Sequence, residues 1–282
     1  MTTVSLRSRP EGFHTGSSQQ SFPQRAKRVW QYRRILDLLV RRDLKVRYSG
    51  SALGYLWTVL DPLLMSFVYW FVLVKIFGRD AGPQNDPYLL YLVTGRMLWS
   101  WFGSGVPIAA RALLSESQMV RSTNVPRELW IVRLAISRGV EYVFSIPVIV
   151  IFAVAYLKAP TWWSFLLPVA MIQCFFLLVG VSLILAPLTV LTKDLTRVIP
   201  IVMRVWFYAS PVLYPISKLG PNLRPIFAFN PFVGPLSIAR AAFFPVDLNW
   251  RYIGFSTITI AVIFVIGMFV FSRLERQVLK EI

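Results

Sequence analysis

Three charged residues within apolar stretches are the best candidates for chemistry in this sequence. Arg138 and Glu141 are three residues apart, so a helix would place them on one face, where they can pair. Arg96 follows Gly95 in another apolar stretch and has no acidic residue close to it in sequence. Charges inside a membrane are costly and usually functional. We interpret Arg138 and Glu141 as either a structural ion pair or a functional site. Arg96 either contacts an anionic substrate or extends its charged end to the membrane surface.

Residue types that commonly perform enzymatic chemistry are scarce. The only histidine, His14, lies in a polar leader, and the only cysteine, Cys174, lies in an apolar run. These counts exclude an intrachain disulfide and argue against a zinc site or a Ser-His-Asp triad. The sequence also has no GxxxxGK[ST] phosphate-binding motif and no evident pair of glycosidase carboxylates. We therefore predict a chain without catalytic residues or a metal site. If its function uses ATP, a separate subunit must bind the nucleotide.

The composition predicts an all-α integral membrane protein. Of the 282 residues, 56% are hydrophobic and 15% are charged, whereas a soluble protein has about 25% charged residues. A net charge of +17 could indicate nucleic-acid binding in a soluble protein. Here the basic residues border apolar stretches, which is typical of residues that set membrane topology and contact anionic lipids. We therefore predict contacts with membrane lipids and none with nucleic acid.

The chain divides into three parts. Residues 1–26 are polar and predict a disordered cytoplasmic tail. Residues 27–50 predict an N-terminal amphipathic helix at the membrane interface, because apolar residues recur on one helical face. Residues 51–282 predict a domain of six transmembrane helices, since each crossing needs about 20 apolar residues. The predicted spans cover residues 53–77, 88–110, 129–156, 162–191, 198–213 and 252–271.

Prolines complicate two parts of this domain. Pro62 either kinks the first span or begins a new helix that Asp61 caps. Six prolines interrupt the apolar segment 214–250, so no continuous helix of membrane length fits there. We predict short re-entrant or surface helices between the fifth and sixth spans.

Charge predicts the orientation of the chain. Of the 30 Lys and Arg residues, 22 fall on one side of the predicted spans. The excess of positive charge in cytoplasmic loops places both termini in the cytoplasm. The loop 111–128 is then the longest cytoplasmic loop. It is either an ordinary connection or a helix that docks into a soluble partner.

Aromatic residues cluster in three places and allow two interpretations. They either form the aromatic belts found at membrane interfaces or provide a stacking surface for the apolar faces of sugar rings. The clusters are Tyr69, Trp70 and Phe71; Trp99, Trp101 and Phe102; and Trp206, Phe207 and Tyr208.

Five motifs appear in order along the chain: RRDLKVRYSGSALGYLWTVLDPLL, YLLYLVTGRMLWSWF, MVRSTNVPRELW, SPVLYPIS and NPFVGPLSIAR. Together they resemble the permease subunit of ABC-2-type polysaccharide exporters, which include exporters of O-antigen, teichoic acid and lipid-linked galactan. The resemblance covers nearly the whole chain after the leader. The long leader looks most like that of the actinobacterial galactan exporters.

The resemblance implies an ABC-2-type exporter fold in the bacterial inner (plasma) membrane. It further implies a homodimer of permeases with two ATP-binding cassette subunits, which bind ATP and Mg²⁺. The chain would form the channel that moves a lipid-linked polysaccharide, such as galactan, out of the cytoplasm. Residues 27–48 would form a gate helix at the inner surface, and residues 215–245 would form gate helices at the outer mouth.

We further hypothesise that the basic segment attracts the pyrophosphate of the lipid-linked glycan, with Arg41, Arg42, Lys45 and Arg47 as candidates, because several cations can engage phosphate oxygens. The resemblance also implies roles for particular residues. A coupling helix for the ATP-binding subunit would include Glu116, Ser117, Gln118, Met119, Arg121 and Asn124. The sugar track would draw on Tyr69, Trp70, Trp99, Trp101, Phe102, Trp206, Phe207 and Tyr208.

Two alternative functions remain. An ABC-2 permease for a small lipid or a drug would have the same bundle of helices without needing a glycan track. A membrane glycosyltransferase would need a cluster of Asp or Glu residues for its donor or metal, and the sequence shows none.

Overall fold

The computed structural model describes residues 22–50, 53–78, 86–245 and 248–281, and the regular elements within these ranges are helical. The α-helices are α1 (Phe22–Gln31), α2 (Arg33–Tyr48), α3 (Trp57–Trp70), α4 (Tyr88–Ala110), α5 (Ala112–Ser115), α6 (Ser117–Ser122), α7 (Glu128–Ala155), α8 (Leu167–Leu191), α9 (Leu195–Tyr208), α10 (Arg224–Ala228), α11 (Val233–Ala241) and α12 (Trp250–Glu281). Short 3₁₀ turns cover Gly54–Leu56, Trp162–Leu166 and Ile216–Lys218, and a π-helical segment, Phe71–Ile76, continues α3.

The N-terminal segment differs from the prediction in two ways. The single predicted helix is divided at Tyr32 into α1 and α2. Helix α1 also begins within the predicted tail, because Arg25 forms buried ion pairs with Glu128 and Glu275 on distant helices. Residues 1–21 of the predicted tail lie outside the described residues.

Four helical segments in the described part of the chain are long and apolar enough to cross a membrane. They are Trp57–Ile76, Glu128–Ala155, Trp162–Leu191 and Trp250–Glu281, and they coincide with the predicted first, third, fourth and sixth spans. Helix α4 has the bounds of the second predicted span, but it carries Arg96 and several Gly and Ser residues. Helix α9 has 14 residues and is about 21 Å long, which is short of the roughly 30 Å hydrocarbon core. Six spans therefore remain a prediction.

Helix α4 forms the centre of the bundle. It packs against α3, α7, α8, α9 and α11, and most of its residues are buried. A helix surrounded by other helices faces little lipid, so it tolerates polar residues that a peripheral span would not. The exposed sides of α7 and α12 carry large apolar residues, as expected of surfaces that contact lipid.

The most extensive helix pair is α8 with α12. Their backbones approach closely at Gly267, where a Cβ atom would lie 2.4 Å from the carbonyl oxygen of Gly180. Small residues at such crossings allow helices in membranes to pack tightly. This contact fixes α12, which is about 48 Å long, against the core.

The structure resolves the ambiguity at Pro62. Helix α3 begins at Trp57, so Pro62 lies inside it and Asp61 does not cap a new helix. The Ser66 hydroxyl donates a hydrogen bond of 2.7 Å to the Pro62 carbonyl oxygen. Helix α8 likewise continues through Pro187.

The segment 214–250 contains only short helices in its described residues, in agreement with its prolines. Asn230 joins this segment to the end of α9. Its amide donates to the Ala209 carbonyl at 3.1 Å, and its Oδ1 accepts from Trp206 Nε1 at 3.2 Å. Arg240 on α11 donates to the Pro211 carbonyl at 2.6 Å and to the Tyr91 hydroxyl at 2.7 Å. We call the region held by Asn230 and Arg240 the α9–α11 joint.

Candidate functional site

A groove runs along α3, α4 and α9 and consists of two adjoining cavities. The larger has a volume of about 480 Å³, and the other has a volume of about 390 Å³. They share Asp61, Ser100 and Ser104 in their walls, so these residues mark the middle of the groove. We call it the α3–α4–α9 groove. One end lies at Arg47 and the other at Tyr208.

Four of the eight predicted channel aromatics line the larger cavity: Tyr69, Trp99, Phe207 and Tyr208. The Phe207 ring centroid lies 5.8 Å from that of Tyr69 and 5.4 Å from that of Trp99. The hydroxyls of Tyr69 and Tyr208 are 3.5 Å apart. The cavity therefore has a continuous aromatic wall with polar groups at its edge.

The other four aromatics lie outside this wall. Phe102 is fully buried, and Trp206 packs edge-on against it with ring centroids 5.1 Å apart. Trp101 stacks on Tyr142 and donates to the Ala135 carbonyl at 3.1 Å. Trp70 forms a cation–π contact with Lys75 and does not line the larger cavity. The aromatic residues that cluster in the sequence therefore include some that line the groove and some that pack against other side chains.

Arg96 lies in the wall of the larger cavity. Its guanidinium carbon is 5.4 Å from the Phe207 ring centroid, which is a cation–π contact. Within the described part of the chain Arg96 forms no salt bridge, and its buried Nε has no hydrogen-bond partner. The groove thus presents a cation beside its aromatic wall.

Arg138 and Glu141 lie in the wall of the smaller cavity. Arg138 Nη1 donates to Glu141 Oε2 at 2.8 Å, so the i,i+3 pair suggested by their spacing is present. Glu141 also accepts from Arg47 Nη1 at 2.5 Å. This three-residue group attaches the end of α2 to α7 at the mouth of the groove.

A second group of charges links α2, the loop before α6, and α7. Glu116 Oε1 accepts from Arg42 Nη2 at 2.7 Å and from Arg133 Nη2 at 2.8 Å. Asp43 lies 3.2 Å from Arg133 Nη1. Burial by itself would raise the pKa of Glu116, but Arg133 and Arg42 outweigh burial and hold that pKa below its usual value. We call these four residues the α2–α6–α7 ion-pair cluster.

The remaining predicted pyrophosphate-binding residues are exposed. Arg41 pairs with Asp37 one turn earlier on α2, at 3.0 Å. Lys45 is exposed on the same helix. Of the four predicted basic residues, Arg42 and Arg47 are therefore held in partly buried ion pairs, whereas Arg41 and Lys45 are accessible.

The predicted coupling residues surround α6. Gln118, Met119, Arg121 and Asn124 are exposed, while Glu116 and Ser117 are partly buried. Val120 is 1% exposed and anchors α6 in the core. A short helix attached by one apolar residue and one acid therefore presents a polar surface outward.

A third group of charges lies at the same end of the bundle. Arg25 pairs with Glu128 and, at 3.1 Å, with Glu275, which also lies 3.1 Å from Arg127. This group joins α1, the start of α7 and the last turns of α12. Among the described residues no group of His, Cys, Asp or Glu could hold a metal ion.

Sequence reasoning missed several of these residues. Arg133, Asp43 and Arg25 pair with residues 17 to 250 positions away, a separation that one sequence does not reveal. Arg240 lies within the NPFVGPLSIAR motif and was not singled out. The sequence held no signal for its position against α4, where a Cβ atom on Gly95 would lie 2.3 Å from Arg240 Nη2.

The fold and the groove define a multi-pass helical membrane protein with a polar and aromatic route along its central helix. The model of the ABC-2 type transporter family matches residues 36–244. The chain belongs to this family, so the resemblance to ABC-2 permeases is confirmed, and the chain is a transporter permease rather than an enzyme.

Curated relatives agree with this assignment. The chain is 31% identical to the O-antigen export system permease protein RfbA of Klebsiella pneumoniae over 245 residues, which cover 86% of this chain and 93% of that protein. It is 32% identical to the RfbA protein of Myxococcus xanthus over 77% of this chain and 82% of the relative. It is 23% identical to the capsule polysaccharide export inner-membrane protein CtrC of Neisseria meningitidis over 77% of this chain and 81% of the relative.

Proposed function

We propose that this chain is the channel-forming subunit of an ATP-driven exporter of a lipid-linked polysaccharide, with galactan as a candidate cargo. The observation that carries the proposal is the α3–α4–α9 groove, which combines an aromatic wall, hydroxyls and Arg96. Aromatic faces suit the apolar faces of sugars, and Ser100 and Ser104 can exchange hydrogen bonds with sugar hydroxyls. The names of the relatives support a polysaccharide as the cargo.

The groove is open along one side, so a single chain does not enclose a polymer. We propose a homodimer in the bacterial inner (plasma) membrane, in which two grooves face each other across a two-fold axis. Both termini lie in the cytoplasm in this arrangement, in accord with the 22 basic residues on one side. Six spans fit the arrangement if α4 and α9 complete their crossings within the bundle.

Two separate ATP-binding cassette subunits would bind ATP and Mg²⁺ and dock on the exposed side of α6. Their movement would reach α2 through the α2–α6–α7 ion-pair cluster, because Glu116 contacts both Arg42 and Arg133. Arg42 is then a link to the ATPase, which differs from the role that the sequence predicted. Arg41 and Lys45 are exposed and available for the phosphates of the lipid-linked glycan.

Depletion of the chain tests the function directly. We expect the lipid-linked polysaccharide to accumulate on the inner leaflet and to disappear from the cell surface. Complementation with Tyr208→Ala, which removes an exposed aromatic from the groove, should restore less than about a third of export, because the apolar faces of the sugars lose part of their contact surface. Tyr156→Ala removes an exposed tyrosine outside the groove and is the matched control.

Depletion that leaves surface polysaccharide intact but raises drug sensitivity would refute a polysaccharide cargo. Equal export in the Tyr208→Ala and Tyr156→Ala strains would refute the groove as its route.

A further inference from the structure

A cavity separate from the groove lies beside the α9–α11 joint. Its volume is about 190 Å³, which corresponds to about six water molecules at roughly 30 Å³ each. Its polar lining consists of Tyr91, Ser217, Arg224, Ser237, Arg240, Asn249 and Tyr252, with two arginines and no acid among the described residues. Ser217 and Asn249 are exposed, so a small ligand has access from outside.

Arg240 has no acidic partner among the described residues. It is 2% exposed, and its partners are neutral oxygens of Tyr91, Pro211 and Val212 and the face of the Tyr91 ring, 3.6 Å away. Its Nε has no hydrogen-bond partner, and no carboxylate of the described residues lies within 4.0 Å of it. A buried cation with neutral partners produces a strong positive potential, because little solvent screens it.

Arg224 adds a second cation to the same cavity. Its Nη2 donates to the Ser217 carbonyl at 2.6 Å, and its Nε donates to the Leu219 carbonyl at 2.9 Å. These bonds fix the guanidinium at the cavity wall. Two fixed guanidinium groups in a cavity whose described lining holds no acid favour the binding of phosphate oxygens.

The start of α12 adds further positive charge beside the cavity. Asn249 Oδ1 accepts a hydrogen bond of 3.1 Å from the backbone N–H of Arg251 and so caps the helix beside the cavity. The N-terminus of a helix carries partial positive charge and favours anions. The helix end and the two arginines therefore converge on one space.

We propose that this cavity binds the phosphate group of an anionic ligand, either a lipid headgroup or free phosphate. The Arg224 guanidinium contacts the phosphate oxygens. The Arg240 guanidinium, whose four Nη N–H groups are already bonded to protein oxygens, and the first turn of α12 add positive potential. A purely structural role for Arg240 explains its bonds to Pro211 and Val212. It does not explain why Arg224 lines the same cavity with no carboxylate among the described lining residues. The proposal is independent of the exported cargo.

Thermal unfolding of the full chain in a maltoside detergent, which carries no phosphate, tests the proposal. Inorganic phosphate and phosphatidylglycerol are titrated separately at constant ionic strength. We expect at least one probe to give saturable stabilisation, since a ligand that binds the native state raises its stability. Arg224→Gln should weaken the apparent affinity about fivefold or more, whereas Arg251→Gln should change it less than about twofold. Arg251 is an exposed arginine in the first turn of α12, and its side chain does not line the cavity.

The probes separate the two sources of phosphate. Stabilisation by both identifies a site for free phosphate, and stabilisation by phosphatidylglycerol alone identifies a headgroup site. Lack of saturable stabilisation by either probe would overturn the proposal. An equal loss of affinity in the Arg224→Gln and Arg251→Gln variants would overturn it as well, because general electrostatic attraction would then explain the binding.

Discussion

The bundle holds its arginines differently at its two ends. At the end where α4 leads into α6, Arg25, Arg42, Arg47 and Arg133 each pair with an Asp or Glu. At the other end Arg240 is fully buried, and it contacts neutral oxygens and the face of the Tyr91 ring. Helix α4 spans the distance between these ends, about 34 Å for its 23 residues.

The difference indicates which end can move. The Arg42–Glu116 pair is partly exposed, so it can exchange partners or take up water at little cost. The buried hydrogen bonds from the Arg240 guanidinium to neutral oxygens cannot open without leaving a charge and several polar groups unpaired. We infer that the ion-pair end transmits movement from an ATPase, while the α9–α11 joint stays fixed and supports the groove.

Arg240→Met should produce the largest effect. The substitution leaves the Pro211 and Val212 carbonyls buried without their donor, so we expect a loss of stability of about 3 kcal/mol or more. Thermal unfolding in detergent measures the loss. Arg251→Met, at an exposed arginine, should stay within about 0.5 kcal/mol of the wild type. Equal stability of the Arg240→Met variant would mean that the joint is not fixed.

Asn230→Ala should destabilise the joint less, by about 2 kcal/mol, because the lost bonds to Ala209, Ser210 and Trp206 are only partly buried. Asn230→Asp keeps the oxygen that accepts from Trp206 and Phe232 but loses the amide donor. Its stability should fall between those of the wild type and the alanine variant. An aspartate variant as unstable as the alanine variant would assign the whole effect to the donor.

Reversal of charge tests whether the ion-pair end transmits movement. Arg42→Glu and Glu116→Arg should each reduce export about tenfold, and the double variant should recover to within about threefold of the wild type, as coupled residues do. The stability of Arg42→Glu should change by about 1 kcal/mol or less, because Arg42 is partly exposed, whereas Glu116→Arg should cost more, because Glu116 also pairs with the buried Arg133. Surface polysaccharide and thermal unfolding are measured on the same strains. If export did not recover in the double variant, the ion pair between Arg42 and Glu116 would not be what transmits the movement.

Acid should weaken the same cluster only slightly. Because Arg133 and Arg42 hold the pKa of Glu116 below its ordinary value, its stabilising contribution is fully present above the unfolded pKa of about 4.3. The contribution is lost as the pH falls through the lower folded value. Glu116→Gln should therefore flatten the pH dependence of stability below about pH 4 and leave it unchanged at pH 7. If the cluster contributed nothing, the unfolding curves of the wild type and the Glu116→Gln variant would not differ over that pH range.

The sequence predicted the elements better than their contacts. Hydropathy predicted α4 at residues 88–110, its bounds in the structure, because an apolar run is a local signal. The prolines of the segment 214–250 likewise predicted short helices there. The spacing of Arg138 and Glu141 suggested their pair for the same reason.

Long-range contacts left no comparable signal. Arg240 and Tyr91 are 149 residues apart, and Arg42 and Glu116 are 74 apart. Arg42 therefore looked like one of four equivalent surface cations, although the structure places it in an ion pair. Trp101 and Trp99 looked alike in sequence, but only Trp99 lines the larger cavity, since residues two apart on a helix point in different directions.

Labelling of Ser104→Cys tests the central claim, that the groove carries the cargo. The only native cysteine, Cys174, is buried, so the introduced thiol at the middle of the groove is the main reactive one. A water-soluble maleimide should label Ser104→Cys in membranes, and a cargo trapped during export should slow labelling about fivefold or more. Val265→Cys, on the exposed side of α12, should show no cargo-dependent change. Labelling of Ser104→Cys that is absent, or is the same with and without cargo, would contradict the account.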